Sequence, residues 1–206
     1  MAKFTGPKGK IVRRFGVNIF GNPKYDELLQ RRNQAPGQHG PKPRRHKSSD
    51  YALQLIEKQK LRLSYGMLEK QFRRVFHKAQ QITGVTGDNL LILLETRLDN
   101  LIFRAGFSHS LAQARQLVNH GHLRVNERRV DIASYQVKPG DSISVRENEK
   151  TSTLIAGCLK ERRRFAVNPW FEVEPETLQI RVKRLPLRDE IQSPALENLI
   201  VEYYSK

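Results

Sequence analysis

Cysteine is nearly missing from this sequence: Cys158 is the single one in 206 residues. One thiol forms no internal disulfide and builds no cysteine-rich zinc site. Cys158 does not read as a nucleophile either. Gly157 precedes it, Leu159 and Lys160 follow, and no histidine stands beside it, so a small packing residue is expected. Long apolar runs are lacking as well. No stretch of about 18 apolar residues exists, so no bilayer-spanning helix is expected. Residues 1 to 16 alternate basic and apolar side chains in place of a signal-peptide core, and no lipidation signal is present. The expected location is the cytoplasm. Apolar residues amount to 38%, which predicts a modest core. Acidic residues are the scarcest relative to their counterparts: 21 Asp and Glu face 37 Lys and Arg, a net charge of +16. Self-repulsion of that size burdens a compact state until a polyanion relieves it. With no membrane element, the polyanion is nucleic acid, and a monomeric soluble enzyme is not expected.

The charge is concentrated. Residues 1–47 hold 12 Lys and Arg against Asp26 and Glu27, a net of +10. Gly6-Pro7, Gly21-Asn22-Pro23, Pro36-Gly37, Gly40-Pro41 and Pro43 punctuate this stretch with turn and breaker signals. It reads as a basic extended arm with a short helix near residues 25–32, poorly ordered alone in water. It would order by threading cations between phosphates. Lys3, Lys8, Lys10, Arg13, Arg14, Arg44, Arg45 and Lys47 are the candidate contacts. His39 joins them because Gly37 and Gly40 let backbone approach a phosphate.

Residues 48–95 read as a helical domain. Ser48-Ser49-Asp50 supplies an N-cap and a first-turn acid, and Gly66 ends that helix. Ala52, Leu55, Ile56 and Leu63 form its apolar stripe, with Lys58, Lys60 and Arg62 as candidate RNA contacts on its cationic side. A second helix follows from Leu68, Phe72, Val75, Phe76, Ala79 and Ile82 on one side and Lys70, Arg73, Arg74, His77 and Lys78 on the other, a cationic face on which Lys70, Arg73 and Arg74 are candidate phosphate contacts. A third is expected as one continuous helix over 88–105, capped by Thr86 or Asp88.

The next segment carries the most specific pattern. Arg97-Leu98-Asp99-Asn100 and Arg104-Ala105-Gly106 lead to a helix from Ser110 to His120, stopped by Gly121. A hairpin follows over 122–126 and 128–131, then a strand over 142–146. Gln113, Gln116 and His120 share a polar, long-armed stripe suited to phosphate, ribose and base-edge contacts. Arg115 flanks it, and His122, Arg124, Asn126, Arg128 and Arg129 extend it onto the hairpin. Arg97 and Arg104 complete the candidate set. His120-Gly121-His122 supplies two metal-type ligands with no third, so no metal site is expected. Glu172 and Glu174 share a strand face without a nucleophile or acid–base partner. They read as surface or partner-facing acids. Trp170, Phe171 and Val173 with Leu178, Ile180 and Val182 read as the core of C-terminal strands. A helix over 150–164 precedes them.

Residues 97–100, 112–118, 121–126 and 137–141 together resemble the RNA-binding S-four domain. Gly6-Pro7-Lys8, residues 35–40, 49–51, 57–60, Tyr65-Gly66, 71–73, 132–135 and the terminal 200–206 extend the similarity to the bacterial small-subunit ribosomal S-four family over essentially the whole chain. The resemblance implies an α+β protein. Its parts would be an arm (1–47), a helical domain (48–95), an S-four-type RNA-binding domain of two helices and a small antiparallel sheet (96–150), and a helix with C-terminal strands (151–206). It implies a primary binder of small-subunit ribosomal RNA that nucleates assembly of the subunit body, contributes to translational accuracy and lies near incoming messenger RNA. Ribosomal proteins S-five and S-three are the implied protein partners. Many members carry a four-cysteine zinc knot in the arm. Here Gly9 and Val12 hold the first two of those positions, so no zinc or other cofactor is expected. The family often has Asn-Gly where this chain has Asn126-Glu127. A two-residue hairpin turn wants positive φ at both residues, so Glu127 is expected to cost about 1 kcal/mol or to change the turn. An RNA-modifying enzyme can carry the same binding domain, but the four segments leave no stretch for a catalytic domain.

Overall fold

Two serines open two of the principal helices by the same device. Ser49 accepts a hydrogen bond from the N–H of Ala52 and starts α3 (Asp50–Ser64), and Ser110 accepts one from Gln113 and starts α7 (Leu111–Asn119). Each satisfies an N–H that the helix itself leaves without a partner. These elements belong to a computed structural model that describes residues 4–38, 40, 49–146, 148–161 and 168–205. The chain divides into two compact units, residues 1–88 with 193–206, and residues 89–192.

The first unit begins with α1 (Lys8–Phe15) and α2 (Pro23–Arg31), which pack against each other. α2 stands where a short helix is expected near residues 25–32, and the expectation of an extended arm is corrected at α1. Pro7 precedes α1, and Gly16, at φ +70°, closes it by donating to Val12. Asn22 caps α2 with Pro23 at its first position, where the missing N–H costs nothing. Val12 and Ile19 are buried. Two buried side chains in a charged segment were too sparse to register as a helical period.

The apolar side of α4 (Glu69–Gln81) is Phe72, Phe76 and Ala79, as the spacing predicts. Where the sequence suggests C-terminal strands to the end of the chain, α9 (Glu197–Tyr204) forms instead and packs on α3. The Tyr204 ring lies 4.5 Å from that of Phe76. Glu57 on α3 accepts the N–H of Leu196 at 3.0 Å. A carboxylate from one helix thereby caps the start of another and complements its dipole.

The chain enters the second unit within α5 (Thr86–Glu95). The continuous helix expected over 88–105 is broken after Glu95, and α6 (Leu98–Arg104) follows. The cause is tertiary. Arg97 bridges to Gln136, while the N–H groups of Leu98 and Asp99 donate to Tyr135 and Ala133. Thr96 donates its hydroxyl to Ile92 and receives the N–H of Val137 on its carbonyl. The loop 133–137 thus takes the place of an unbroken helical ladder.

One antiparallel sheet completes this unit. Its strands are β1 (Leu123–Val125), β2 (Arg128–Arg129), β3 (Ser142–Val145), β4 (Phe171–Glu174) and β5 (Gln179–Val182), in the order β2-β1-β3-β5-β4. The C-terminal strands therefore extend the hairpin's own sheet. Helix α8 (Glu149–Glu161) runs between β3 and β4 in sequence and buries Thr151, Ile155 and Cys158. Leu98, Leu101, Ile102, Phe107, Ala114 and Val118 share one core with Leu123, Val125, Ile143, Trp170, Ile180 and Val182. Register decides what the sheet's other face shows. Val125, Ile143, Ile180 and Val173 align across the sheet on the core side, so the next row outward is Arg129, Arg124, Ser144, Gln179 and Glu174.

Candidate nucleic-acid interface

The hairpin turn fixes where the arginines of β1 and β2 stand. Asn126 and Glu127 have φ +49° and +66°, so the two-residue turn keeps positive φ at both positions despite the glutamate. The Asn126 side chain donates to Asp141 at 2.8 Å and accepts the N–H of Ser142 at 2.9 Å. This anchor ties the turn to the start of β3. Asn126 is thereby a turn-holding residue, and the hairpin is held by protein contacts before any ligand arrives.

With the turn held, Arg124 and Arg129 are direct cross-strand partners. His122 pairs its carbonyl with the N–H of Arg146 at the next outward position. The His120 and His122 rings are 6.0 Å apart, and His122 Nδ1 lies 3.4 Å from the Thr151 hydroxyl. Gln116 and His120 are exposed on α7, and Arg128 and Arg129 on the hairpin. Gln113 is half-buried and accepts the N–H of His109 at 2.9 Å. One surface thus carries imidazoles, a free-standing amide and guanidiniums, a set that recognises phosphate and base edges together. Acids sit at the far side of the sheet, where Glu172 meets Lys183 at 3.1 Å and Glu174 meets Arg181 at 3.8 Å.

In the first unit the outer face of α4 is cationic. Lys70, Arg73 and Arg74 are exposed there, and Lys78 continues the row one turn beyond Arg74. The helix's own acid, Glu69, is drawn to its other side by Lys58 at 2.9 Å, Tyr204 at 2.8 Å and Arg62 at 3.5 Å. Burial pushes the Glu69 carboxyl up, but the hydrogen bonds from Lys58 and Tyr204 and the nearby charges hold it below its usual range. Burial and the bond to Glu69 raise Tyr204. Lys10 and Arg14 are exposed on α1.

Residues 3–95 match the family model described as the ribosomal protein S4/S9 N-terminal domain, and residues 96–143 match the S4 domain. The small ribosomal subunit protein uS4 of Opitutus terrae is 52% identical over all of this chain and all of its own length. The proteins of the same description from Borrelia turicatae and Borreliella burgdorferi are 48% and 47% identical over 97% of this chain and 96% of theirs. The chain belongs to the uS4 family. The two models meet at residues 95 and 96, where the structure breaks the helix between α5 and α6.

Among the described residues, no group of three or more His, Cys, Asp or Glu side chains could hold a metal ion, and Gly9 and Val12 stand at two of the positions where many relatives have zinc-binding cysteines. Val12 is fully buried, and a side chain added at Gly9 would meet Leu28 at 3.0 Å. Asn18, in the connection after α1, is tied to the start of α2, donating to Asp26 and to the Asn22 carbonyl, each at 2.9 Å.

Several cations expected to meet uS4-bound RNA are turned inward. Arg97 and Arg115, 2% and 6% exposed, both bond Asp99, which is fully buried. The expectation that they contact phosphate is corrected: burying a carboxylate in this core demands paired donors. Lys58, 3% exposed, is corrected as well: its own stem is buried, its ammonium is held by the half-exposed Glu69, and it lies 4.9 Å from the Tyr203 ring. Lys60 bonds Glu57, and Arg62 bonds Gln59 and the Met67 carbonyl. Arg104 bonds Glu95 at 2.7 Å and keeps a third of its side chain exposed. Arg13 donates to the carbonyls of Gln34 and Ala35, and Lys8 lies 5.2 Å from the Phe20 ring. Lys3, His39, Arg44, Arg45 and Lys47 lie outside the described residues.

Arg146 belongs with the exposed set and was not among the expected contacts, and Lys78 joins it from the cationic side of its helix. The signals existed in the sequence. Lys78 is four residues beyond Arg74 on a helix, and Arg146 alternates with Ser144 and Ser142 on a strand.

Proposed function

We propose that this protein is a structural constituent of the small ribosomal subunit, bound to small-subunit ribosomal RNA, with no catalytic role. The observation that carries this reading is the sorting of charge. On α4 and on the α7–hairpin surface the exposed cations face outward, while Glu69, Glu95 and Asp99 are held by cations behind them. A solvated face with no partner has no need of that separation, and phosphate rewards it by releasing counterions. The full-length similarity to small ribosomal subunit proteins supports this polyanion over others. In this reading the protein is a primary RNA binder that nucleates assembly of the subunit body, contributes to decoding accuracy, lies near incoming messenger RNA, and works in the cytoplasm as part of the ribosome.

The resemblance adds ribosomal proteins S-five and S-three as partners. A cleft of about 520 Å³ between α3 and α9 supports a protein occupant on that side, because Asp50 and Glu202 line it beside Leu53 and Leu199. Such a lining repels phosphate.

Co-sedimentation with small subunits at increasing salt tests the proposal. The protein is expected to stay with the subunit through moderate salt and to prefer small-subunit RNA to a random transcript of equal length. Release at low salt with no preference between the two RNAs would refute it.

A further inference from the structure

We propose that Gly121 is a positioning residue for RNA binding: the space left by its absent side chain is the seat of the Arg129 guanidinium, which it holds beside Arg124. This rests on the reading that the α7–hairpin surface faces RNA.

Two observations meet at this glycine. The first is backbone geometry. Gly121 has φ +68° and closes α7, donating to Val118 at 2.8 Å while His122 donates to Leu117 at 3.1 Å. Positive φ alone accounts for a glycine at a helix end. The second is what fills the space. A Cβ built on Gly121 would collide with Arg129 Nε and stand 2.7 and 2.8 Å from its Nη2 and Cζ. Gly121 is itself buried although it lies in a turn. The guanidinium therefore occupies the volume that any other residue's side chain would claim.

The seat answers an electrostatic problem. Arg129 stands directly across from Arg124, and like charges in that relation destabilise a sheet. Left to itself, a long side chain on an exposed two-residue strand would swing away and sample many rotamers. The C-terminal end of α7 is the negative pole of the helix dipole, which favours a cation. Packing on the bare backbone of Gly121 then removes rotamer freedom before RNA binds. A phosphate arriving between Arg124 and Arg129 meets two guanidiniums already in place, and it relieves their repulsion.

The experiment measures the dependence of affinity on salt for a small-subunit ribosomal RNA transcript, with wild type, Arg129→Gln, Gly121→Asn and the double variant. Asparagine tolerates left-handed backbone, so it separates loss of the seat from backbone strain. Circular dichroism confirms that each variant folds. Arg129→Gln is expected to lower the magnitude of the log-affinity against log-salt slope by about 0.7–0.9, one phosphate contact. Gly121→Asn should lower it equally, and the double variant no further. If Arg129→Gln lowers the slope and Gly121→Asn does not, or if the two add, the seat is refuted and the RNA surface stands. If Arg129→Gln leaves the slope unchanged, the surface itself is misassigned. An independent measurement needs no variant at 121. In the free protein, the Nε proton of Arg129 should exchange with water more slowly than that of Arg128, and equal rates would overturn the seat.

Discussion

Arg115 lays its guanidinium on the carboxylate of Asp99, sixteen residues earlier, with Nη2 at 2.6 Å and Nε at 2.8 Å from one oxygen. Arg97 takes the same carboxylate through Nε and Nη2 at 3.0 and 2.8 Å. α6 and α7 are joined through this carboxylate, beneath the surface that carries Gln116 and His120. Removing the acid would leave two buried guanidiniums facing a neutral group. Asp99→Asn is therefore expected to cost about 3–5 kcal/mol of stability, measured by urea unfolding. A loss below about 1 kcal/mol would show that water reaches the pair and that it is not a core element.

Surface and interior arginines are expected to part in their response to salt. Arg73→Gln and Arg124→Gln should each reduce the salt slope of RNA binding by about one phosphate contact, with stability changed by no more than about 0.5 kcal/mol. Arg115→Gln should do the reverse, lowering the melting temperature while folded protein keeps the wild-type slope. Titrations at several potassium concentrations, paired with thermal melts, distinguish the two classes. A slope change for Arg115→Gln equal to that of Arg124→Gln would return Arg115 to the interface.

Glu127 holds φ +66° without the freedom of glycine. Placing Glu127→Gly there is expected to stabilise the protein by about 1 kcal/mol, the cost of left-handed backbone for an L-residue. Asn126 keeps its bonds to Asp141 and Ser142 in either case, so RNA affinity should hold or rise. Thermal unfolding checks the first outcome, and binding at fixed salt the second. Loss of affinity would assign Glu127 a contact of its own.

Acid should loosen the second unit through one identifiable pair. Glu190 receives the Arg184 guanidinium, at 2.8 Å through Nη1, and the N–H of Leu187 at 2.9 Å. The Arg184 hydrogen bonds first, and then the Leu187 N–H, pull the Glu190 carboxyl down to about 2 from its ordinary 4.5. A lowered carboxyl stabilises the fold fully above the unfolded value and loses that contribution as pH falls through the folded one. The pair's share should therefore be intact above about pH 4.5 and gone near pH 2. Glu190→Gln should melt lower than wild type at neutral pH, and the gap should close across that window. A gap that stays constant down to pH 2 would rule the ion pair out as its source.

Much of this molecule is legible locally. Ser49, Ser110, Gly66 and Gly121 mark helix ends because caps and left-handed turns depend on single residues and their immediate neighbours. The spacing of Phe72, Phe76 and Ala79 gives α4 its buried side, and by the same geometry leaves Lys70, Arg73 and Arg74 outside. The excess of positive charge and its outlet on a polyanion also follow from residue counts alone. Whether a given arginine faces water or a buried carboxylate does not. Arg97, Arg104, Arg115 and Arg124 are the same residue in similar stretches of sequence, and only the approach of Asp99 and Glu95 separates them. The break after Glu95 depends on the loop at 133–137, and the joining of β5 to β3 depends on pairing Ile143 with Ile180. The contacts behind the break and the strand pairing join residues 34 to 41 positions apart in sequence. Such contacts form because they bury apolar surface and satisfy polar groups in three dimensions, and no local pattern records which partner will arrive.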